Sequence, residues 1–185
     1  MIRFVISVVL ALTILAFFSF GIFAQEEEFQ YVGMKNCKMC HTSKKSGESY
    51  KIWQESAHAT AYQTLANEQS QKIAAEMGIE DPQKDEKCLK CHVTGYGEPA
   101  SKYGKDYSME EGVTCEACHG PGSEYKSMKI MKQIYAGEVE GSKYGLVEPD
   151  AALCKTCHNE ESPTFKGFDY EKFVAQIAHP VPSGK

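Results

Sequence analysis

Four cysteine pairs constrain this chain more than any other feature. Each pair belongs to a Cys-x-x-Cys-His unit, and no cysteine lies outside these units. Two thiols at this spacing can each add to one vinyl group of a haem, and the adjacent histidine then reaches the iron. The sequence therefore predicts four covalently bound c-type haems. The units, numbered motifs 1 to 4, are Cys37, Cys40 and His41; Cys88, Cys91 and His92; Cys115, Cys118 and His119; and Cys154, Cys157 and His158.

Paired cysteines have two other common uses. Four Cys-x-x-Cys pairs could build two zinc sites, and an exported chain could oxidise them to four disulfides. Neither use requires a histidine directly after the second cysteine, whereas haem ligation does. Histidine accounts for only 6 of the 185 residues, so its presence after all four pairs favours haem.

Haem would also account for the folding of a rather polar chain. The mean hydropathy is −0.40, which leaves the protein a modest apolar core of its own. Four tethered macrocycles would supply much of the buried apolar surface, and the chain without them is expected not to fold. We therefore expect a mainly α fold with long loops, organised by its haems as in multihaem cytochromes c, with little or no β structure.

Periodicity and turn residues predict the main elements. Residues 47–77 have helical character, and the stretch 92–115, rich in glycine and tyrosine, reads as a loop. A helix capped by Ser123 should run to about residue 136, and a last helix should cover residues 170–178. The motifs lie too close together along the chain for a domain boundary between them.

The N-terminus predicts export. Residues 4–23 are almost wholly apolar, Arg3 precedes them, and three glutamates follow shortly after Ala24. This pattern is typical of a signal peptide over residues 1–24, followed by one tetrahaem domain over residues 25–185. The apolar run is also long enough for an uncleaved membrane anchor. Both alternatives place the domain outside the cytoplasm, in the periplasm, and only the second attaches it to the inner membrane.

The charge balance narrows the expected partners. The chain carries 25 acidic residues against 20 lysines and arginines, and Arg3 is its only arginine. So acidic a chain is a poor ligand for nucleic acid. Without arginine it also lacks the usual bidentate group for an oxyanion. We expect other redox proteins as partners, either donor and acceptor cytochromes or an oxidoreductase.

Histidine is too scarce to fill the axial positions of four haems. Beyond the four motif histidines the chain has only His58 and His179, which are the candidate distal ligands. At least two haems must therefore lack a second histidine. A methionine can ligate haem iron, and we favour Met131 over Met128, with Lys129 a weaker candidate. The alternative is that both methionines only pack in the core, and a remaining haem would be five-coordinate or hold water.

Several of these stretches resemble the tetrahaem cytochrome c554 family. The family comprises periplasmic cytochromes best known as electron acceptors of hydroxylamine oxidoreductase in ammonia oxidisers. The resemblance covers most of the chain after residue 24. It rests on motif 1 followed by Trp53 and the Ser-Ala-His-Ala run around His58, on residues 112–122, and on the terminal segment ending in His179.

The resemblance implies particular axial assignments. His58 would ligate the haem on His119, and His179 would ligate the haem on His158. The haem on His92 would be five-coordinate, with residues 163–165 covering its open face. The haem on His41 would take its second ligand from the segment after residue 122. This chain has no histidine there, so the resemblance points to Met131 in that role.

The leading functional prediction is a periplasmic electron carrier and not an enzyme, because no nucleophile, catalytic dyad or phosphate loop accompanies the motifs. The alternative is a small multihaem redox enzyme that acts on a nitrogen oxide or hydroxylamine at a five-coordinate haem. A third possibility, a membrane-anchored quinol-oxidising subunit or a filament subunit, depends on retention of the N-terminal apolar run.

Overall fold

The structure is a computed structural model that describes residues 29–180. The predicted signal segment, residues 1–24, lies outside the described residues. Within the described part, short helices alternate with long loops. The α-helices are α1 (Met34–His41), α2 (Ser49–Gln54), α3 (Ala61–Thr64), α4 (Glu68–Glu76), α5 (Glu86–His92), α6 (Cys115–His119), α7 (Met128–Tyr135), α8 (Ala151–Lys155) and α9 (Tyr170–Val174).

Short 3-10 helices join several of these elements, at Lys44–Ser46, Ala57–Thr60, Ala100–Lys102, Met109–Glu111 and Gly141–Tyr144. The β structure of residues 29–180 is limited to an isolated parallel bridge between Tyr31 and Tyr103. The predicted mainly α fold with long loops and little β structure is thus confirmed.

The helical stretch predicted over residues 47–77 is interrupted. Glu48 adopts a left-handed conformation with φ of 52°, Ser56 is extended, and Asn67 caps a new helix by accepting from the Ser70 backbone N–H. The Asn67 cap satisfies a free N–H group of the new helix, whereas no side chain caps the helices that follow Glu48 and Ser56. Periodicity predicts one segment where the chain builds α2, a 3-10 turn, α3 and α4.

Two predicted helix boundaries also differ from the structure. Ser123 does not cap a helix, because its backbone N–H and hydroxyl bond the backbone of Gln30. Ser127 caps α7 instead, by accepting from the Ile130 N–H, so the helix starts five residues later than the predicted cap. The last helix ends at Val174, short of the predicted residue 178.

The cysteine motifs lie on or directly after short helices that their flanking residues start. Asp85 caps α5, Thr114 caps α6 and Asp150 caps α8, each through its side-chain oxygen. Motifs 2 and 3 end their helices at the histidine, whereas His158 of motif 4 follows α8. A helical Cys-x-x-Cys places both thiols near one side of the element, as attachment to a single haem requires.

The protein core is small. Leu65, Leu89 and Val93 form a buried cluster, against which Tyr62 and Tyr96 pack. So limited a core is in keeping with a fold that depends on its haems for much of its buried apolar surface. None of the helices within residues 29–180 is both long and apolar enough to cross a membrane.

Candidate haem site

All eight cysteines are free thiols in the structure. The described residues also contain no cluster of three or more histidine, cysteine or acidic side chains that could hold a metal ion directly. Haem attachment requires free thiols next to a histidine, which is the arrangement that each motif presents.

The motifs contact one another through their cysteines. The thiols of Cys37 in motif 1 and Cys115 in motif 3 lie close enough to interact, which lowers the pKa of Cys115 despite its burial. The thiols of Cys91 in motif 2 and Cys157 in motif 4 are close in the same way, and their interaction lowers the pKa of Cys157 to about 6.

Motifs 3 and 4 are neighbours as well. Burial raises the pKa of Cys118 to about 11, with a further contribution from nearby Cys154. Three pairs of neighbouring cysteines, Cys37 with Cys115, Cys118 with Cys154, and Cys91 with Cys157, give the motifs the spatial order 1, 3, 4, 2. This order differs from their order along the chain. Groups attached at successive motifs of this series are neighbours in the molecule.

The histidines are brought together in pairs. The ring centres of His58 and His158 are 5.9 Å apart, and those of His119 and His179 are 5.7 Å apart. Two imidazoles on opposite sides of one metal ion, each about 2 Å from it, have ring centres about 6 Å apart. Both pairs therefore have the separation that an iron held between two histidines requires.

This pairing differs from the one that the resemblance implies. The family assignment places His58 opposite His119 and His179 opposite His158, whereas the structure exchanges the two partners. His58 and His179 both lie beside a motif histidine. What the sequence left unresolved is which motif each of them faces.

The surroundings of the paired histidines favour the neutral imidazole. Burial lowers the pKa of His58, and the nearby His158 lowers it further. Burial also lowers the pKa of His119, and the neighbouring His179 and His41 add to the effect. A metal binds the neutral imidazole, so this environment suits an iron ligand.

A backbone group orients one of the motif histidines. His92 Nδ1 lies 2.7 Å from the Ala61 carbonyl oxygen, so the ring donates from Nδ1. Such a bond fixes the tautomer and the orientation of a metal-binding imidazole. No sequence pattern predicted this backbone partner.

The segment after motif 4 folds back onto motif 2. Glu161 forms an ion pair with Lys90, which lies inside motif 2. Phe165, four residues further on, is half-buried. This contact brings residues 159–165 to the side of motif 2 and is compatible with the predicted cover over the haem of His92.

Phe168 is a contact of His158 that the sequence did not predict. Its ring stacks on His158 with centres 4.9 Å apart, and Phe173 stacks on Phe168 in turn. The stack supports the His158 ring from the side. Phe168 lies ten residues after the motif in an irregular segment, and neither periodicity nor a motif marks it.

The two candidate methionines differ in exposure. Met128 is 64% exposed, whereas Met131 is half-buried on the same helix, α7. Burial favours Met131 of the two, because haem ligands lie on the inner side of an element. Ligation by Met131 remains a prediction.

Glu116 is a buried carboxylate inside motif 3 that the sequence did not mark. It is 2% exposed, and its oxygens accept hydrogen bonds from the backbone N–H groups of Val32, Gly33 and Gly122 at 2.7–3.0 Å. It thereby ties the chain before motif 1 to motif 3 and to the turn that follows. The two residues between the cysteines carry no general signal, so only the fold could identify this role.

Comparison with known proteins found similar sequences. The family described as cytochrome c554 and c-prime matches residues 36–120, which include motifs 1, 2 and 3. Cytochrome c-554 of Nitrosomonas europaea is 32% identical over 170 residues, which cover 80% of this chain. The match spans 66% of the length of that relative. No solved structure matches the chain significantly.

Proposed function

The chain belongs to the cytochrome c554 family of c-type cytochromes, and from this premise we propose that it is a periplasmic tetrahaem electron carrier between redox proteins. The observation that carries the proposal is the pairing of His58 with His158 and of His119 with His179 at iron-binding separations. We further propose that residues 1–24 form the export signal and residues 25–185 the haem domain.

The residues that would hold the haems follow from the motifs. Each pair of cysteines would anchor one haem through thioether bonds, and the adjacent histidine would be its first axial ligand. When bound, haem iron supplies reversible one-electron chemistry. The attachment cysteines are Cys37 and Cys40, Cys88 and Cys91, Cys115 and Cys118, and Cys154 and Cys157.

The protein itself contributes neutral, fixed imidazoles and close neighbours. Burial lowers the pKa of His58 and His119, which favours their uncharged form, and the carbonyl of Ala61 orients His92. The fold places the motifs in the spatial order 1, 3, 4, 2, with cysteines of neighbouring motifs close together. A compact series of redox centres with different ligands suits the passage of single electrons between partners.

Intact mass spectrometry of the exported protein tests the haem number. We expect four haem increments on a chain that starts at Gln25. Two increments or fewer, or zinc in place of haem, would contradict the proposal. A chain that retains residue 1 would instead support the anchored alternative.

Electron paramagnetic resonance of the oxidised protein tests the ligands. We expect His58→Ala and His179→Ala each to convert one low-spin haem to high-spin. Nuclear Overhauser contacts should connect the His58 ring to the thioether protons at Cys154 and Cys157. Contacts to Cys115 and Cys118 instead would restore the pairing that the resemblance implies.

A small redox enzyme is the second candidate function. The described histidines form two close ring pairs, which leaves His41 and His92 outside those pairs. An open axial position at His92 could bind a nitrogen oxide or hydroxylamine. Steady turnover of such a substrate by the purified holoprotein would favour the enzyme, whereas reoxidation only by a partner protein would favour the carrier.

A further inference from the structure

Motif 1 differs from the other three motifs in its charge. From eight residues before its first cysteine to six after its histidine, residues 29–47, it has four lysines and no acidic residue. The same stretch around motif 2, residues 80–98, has three lysines against five acids. Residues 107–125 have no lysine against four acids, and residues 146–164 have one lysine against four. Motif 1 is therefore the single basic motif in an acidic protein.

Motif 1 is also the most open of the four. Cys40 is exposed, whereas the other seven cysteines are half-buried. Met39, between the two cysteines of the motif, is 71% exposed, the highest value among the exposed large apolar side chains of the described residues. A group attached at this motif would have an edge near the surface, beside an exposed apolar side chain.

The lysines of this surface are available to a partner. Lys38, Lys44 and Lys45 are exposed, and among residues 29–180 the Lys38 Nζ approaches the ring of Tyr50, 5.2 Å from its centre. Lys35 is set aside, because it forms an ion pair with Asp106. The remaining three lie within an eight-residue stretch. This stretch is shorter than the roughly 20–30 residues that each partner contributes to a standard protein interface. We name residues 38–45 the motif 1 face.

We propose that the motif 1 face is the docking surface for an acidic redox protein. The proposal rests on the proposed electron-carrier function and adds the place of exchange and the charge of the partner. Complementary charge raises the rate of encounter and orients the partner, and it acts locally even where the whole molecule is repelled. Met39 supplies the apolar contact at the centre that such interfaces usually have.

The test uses the complete holoprotein and an acidic flavodoxin as the probe. The flavodoxin hydroquinone gives up one electron and becomes the semiquinone, while one ferric haem becomes ferrous. Stopped-flow absorbance measures the second-order rate at several ionic strengths, and calorimetry measures the affinity for oxidised flavodoxin. We expect the rate to fall as salt rises, because local attraction is screened. Repulsion between two acidic molecules as a whole predicts the opposite sign.

Charge reversal identifies the surface. The variant Lys38→Glu, Lys44→Glu, Lys45→Glu should lower the low-salt rate by about tenfold or more and weaken binding in parallel. The matched control Lys72→Glu, Lys132→Glu, Lys166→Glu makes the same change in net charge at exposed sites elsewhere. We expect less than a threefold effect from it. Met39→Ser should weaken binding without changing the salt dependence.

The result that overturns the docking surface is an equal effect of both triple variants, a rate that rises with salt, or no reaction with flavodoxin. Each variant must retain its haem content and its low-spin signals. If a charge-reversed variant loses either, Lys→Gln replacements at the same positions are measured in its place. Reversible reduction by dithionite and reoxidation by ferricyanide tests the carrier function separately. A protein that fails this second test contradicts the proposed function itself.

Discussion

Glu116 shows how a single residue can fasten this fold. Its carboxylate accepts three backbone N–H groups that would otherwise be buried without a partner. Burial raises the pKa of Glu116, while these hydrogen bonds oppose the rise. A buried carboxylate is costly by itself, but the hydrogen bonds that it accepts offset that cost.

We predict that Glu116→Gln lowers the free energy of unfolding by about 1–3 kcal/mol, because the amide NH2 would face backbone donors. Glu116→Ala should cost more, since it leaves all three N–H groups unsatisfied. Thermal unfolding of the holoprotein measures both. The control Glu124→Gln removes an exposed carboxylate and should change stability by less than about 0.5 kcal/mol. Equal effects at both positions would contradict the role given to Glu116.

Met131 is the predicted methionine ligand. Thioether ligation favours ferrous iron, so a haem ligated by Met131, for which we favour that on His41, should have the highest potential. Met131→Ala should make one low-spin haem high-spin, and Met131→His should keep it low-spin and lower its potential. A spectroscopic redox titration measures this.

Met128→Ala is the control on the same helix, because that side chain is exposed. If Met128→Ala converts one low-spin haem to high-spin and Met131→Ala does not, Met128 is the ligand. If neither variant alters the spin states or the highest potential, the methionines only pack.

At the scale of elements, the terminal segment that carries His179 is held by its contact with the loop before α2. Gly47 has φ of 77°, and a Cβ at this position would collide with the carbonyl oxygen of Pro180. Pro180 directly follows His179, so this close approach sets where the histidine lies. The left-handed conformation and the contact both require glycine.

We predict that Gly47→Ala displaces the terminal segment and gives the high-spin signal expected of His179→Ala. Electron paramagnetic resonance measures the signal. Gly78→Ala is a matched control, because Gly78 has φ of 71° but nothing within 4 Å of an added Cβ. It should cost about 1–2 kcal/mol of backbone strain without a change in spin state. A normal low-spin spectrum for Gly47→Ala would contradict this account of the segment.

At the scale of the whole molecule, the buried histidines link stability to pH. Burial lowers the pKa of His41, His58, His119, His158 and His179 from 6.5. The unfolded chain therefore takes up protons at a pH where the folded chain does not, and stability is lost as pH falls below about 6.5. The raised pKa of Glu116 has the opposite effect on the pH dependence of stability, but it is one group against five histidines.

We predict that the urea midpoint of the holoprotein decreases between pH 7.5 and pH 5.5. Ligation to iron has the same sign, because it also requires neutral imidazole. Equilibrium unfolding followed by haem absorbance and by circular dichroism measures the midpoint. A midpoint that is constant or higher at pH 5.5 would show that the histidines do not control stability.

The sequence by itself determined the cofactor chemistry and the fold class. The cysteine spacing and the adjacent histidines are local, so the motifs predict attachment sites without any knowledge of the fold. With four haems, the count of histidines likewise leaves at least two without a second histidine, whatever the fold. The sequence did not predict the interruptions of the helix over residues 47–77, because the left-handed Glu48 and the extended Ser56 are backbone conformations that apolar periodicity does not reveal.

Only the tertiary structure decided which groups meet. The pairing of His58 with His158, the order of the motifs in space and the burial of Glu116 join residues far apart in the chain. Nothing in the local pattern encodes them, since they follow from how short helices and long loops pack around a small core. Long-range contacts of this kind depend on the whole chain, which is why the motifs could be predicted from the sequence and these ring contacts could not.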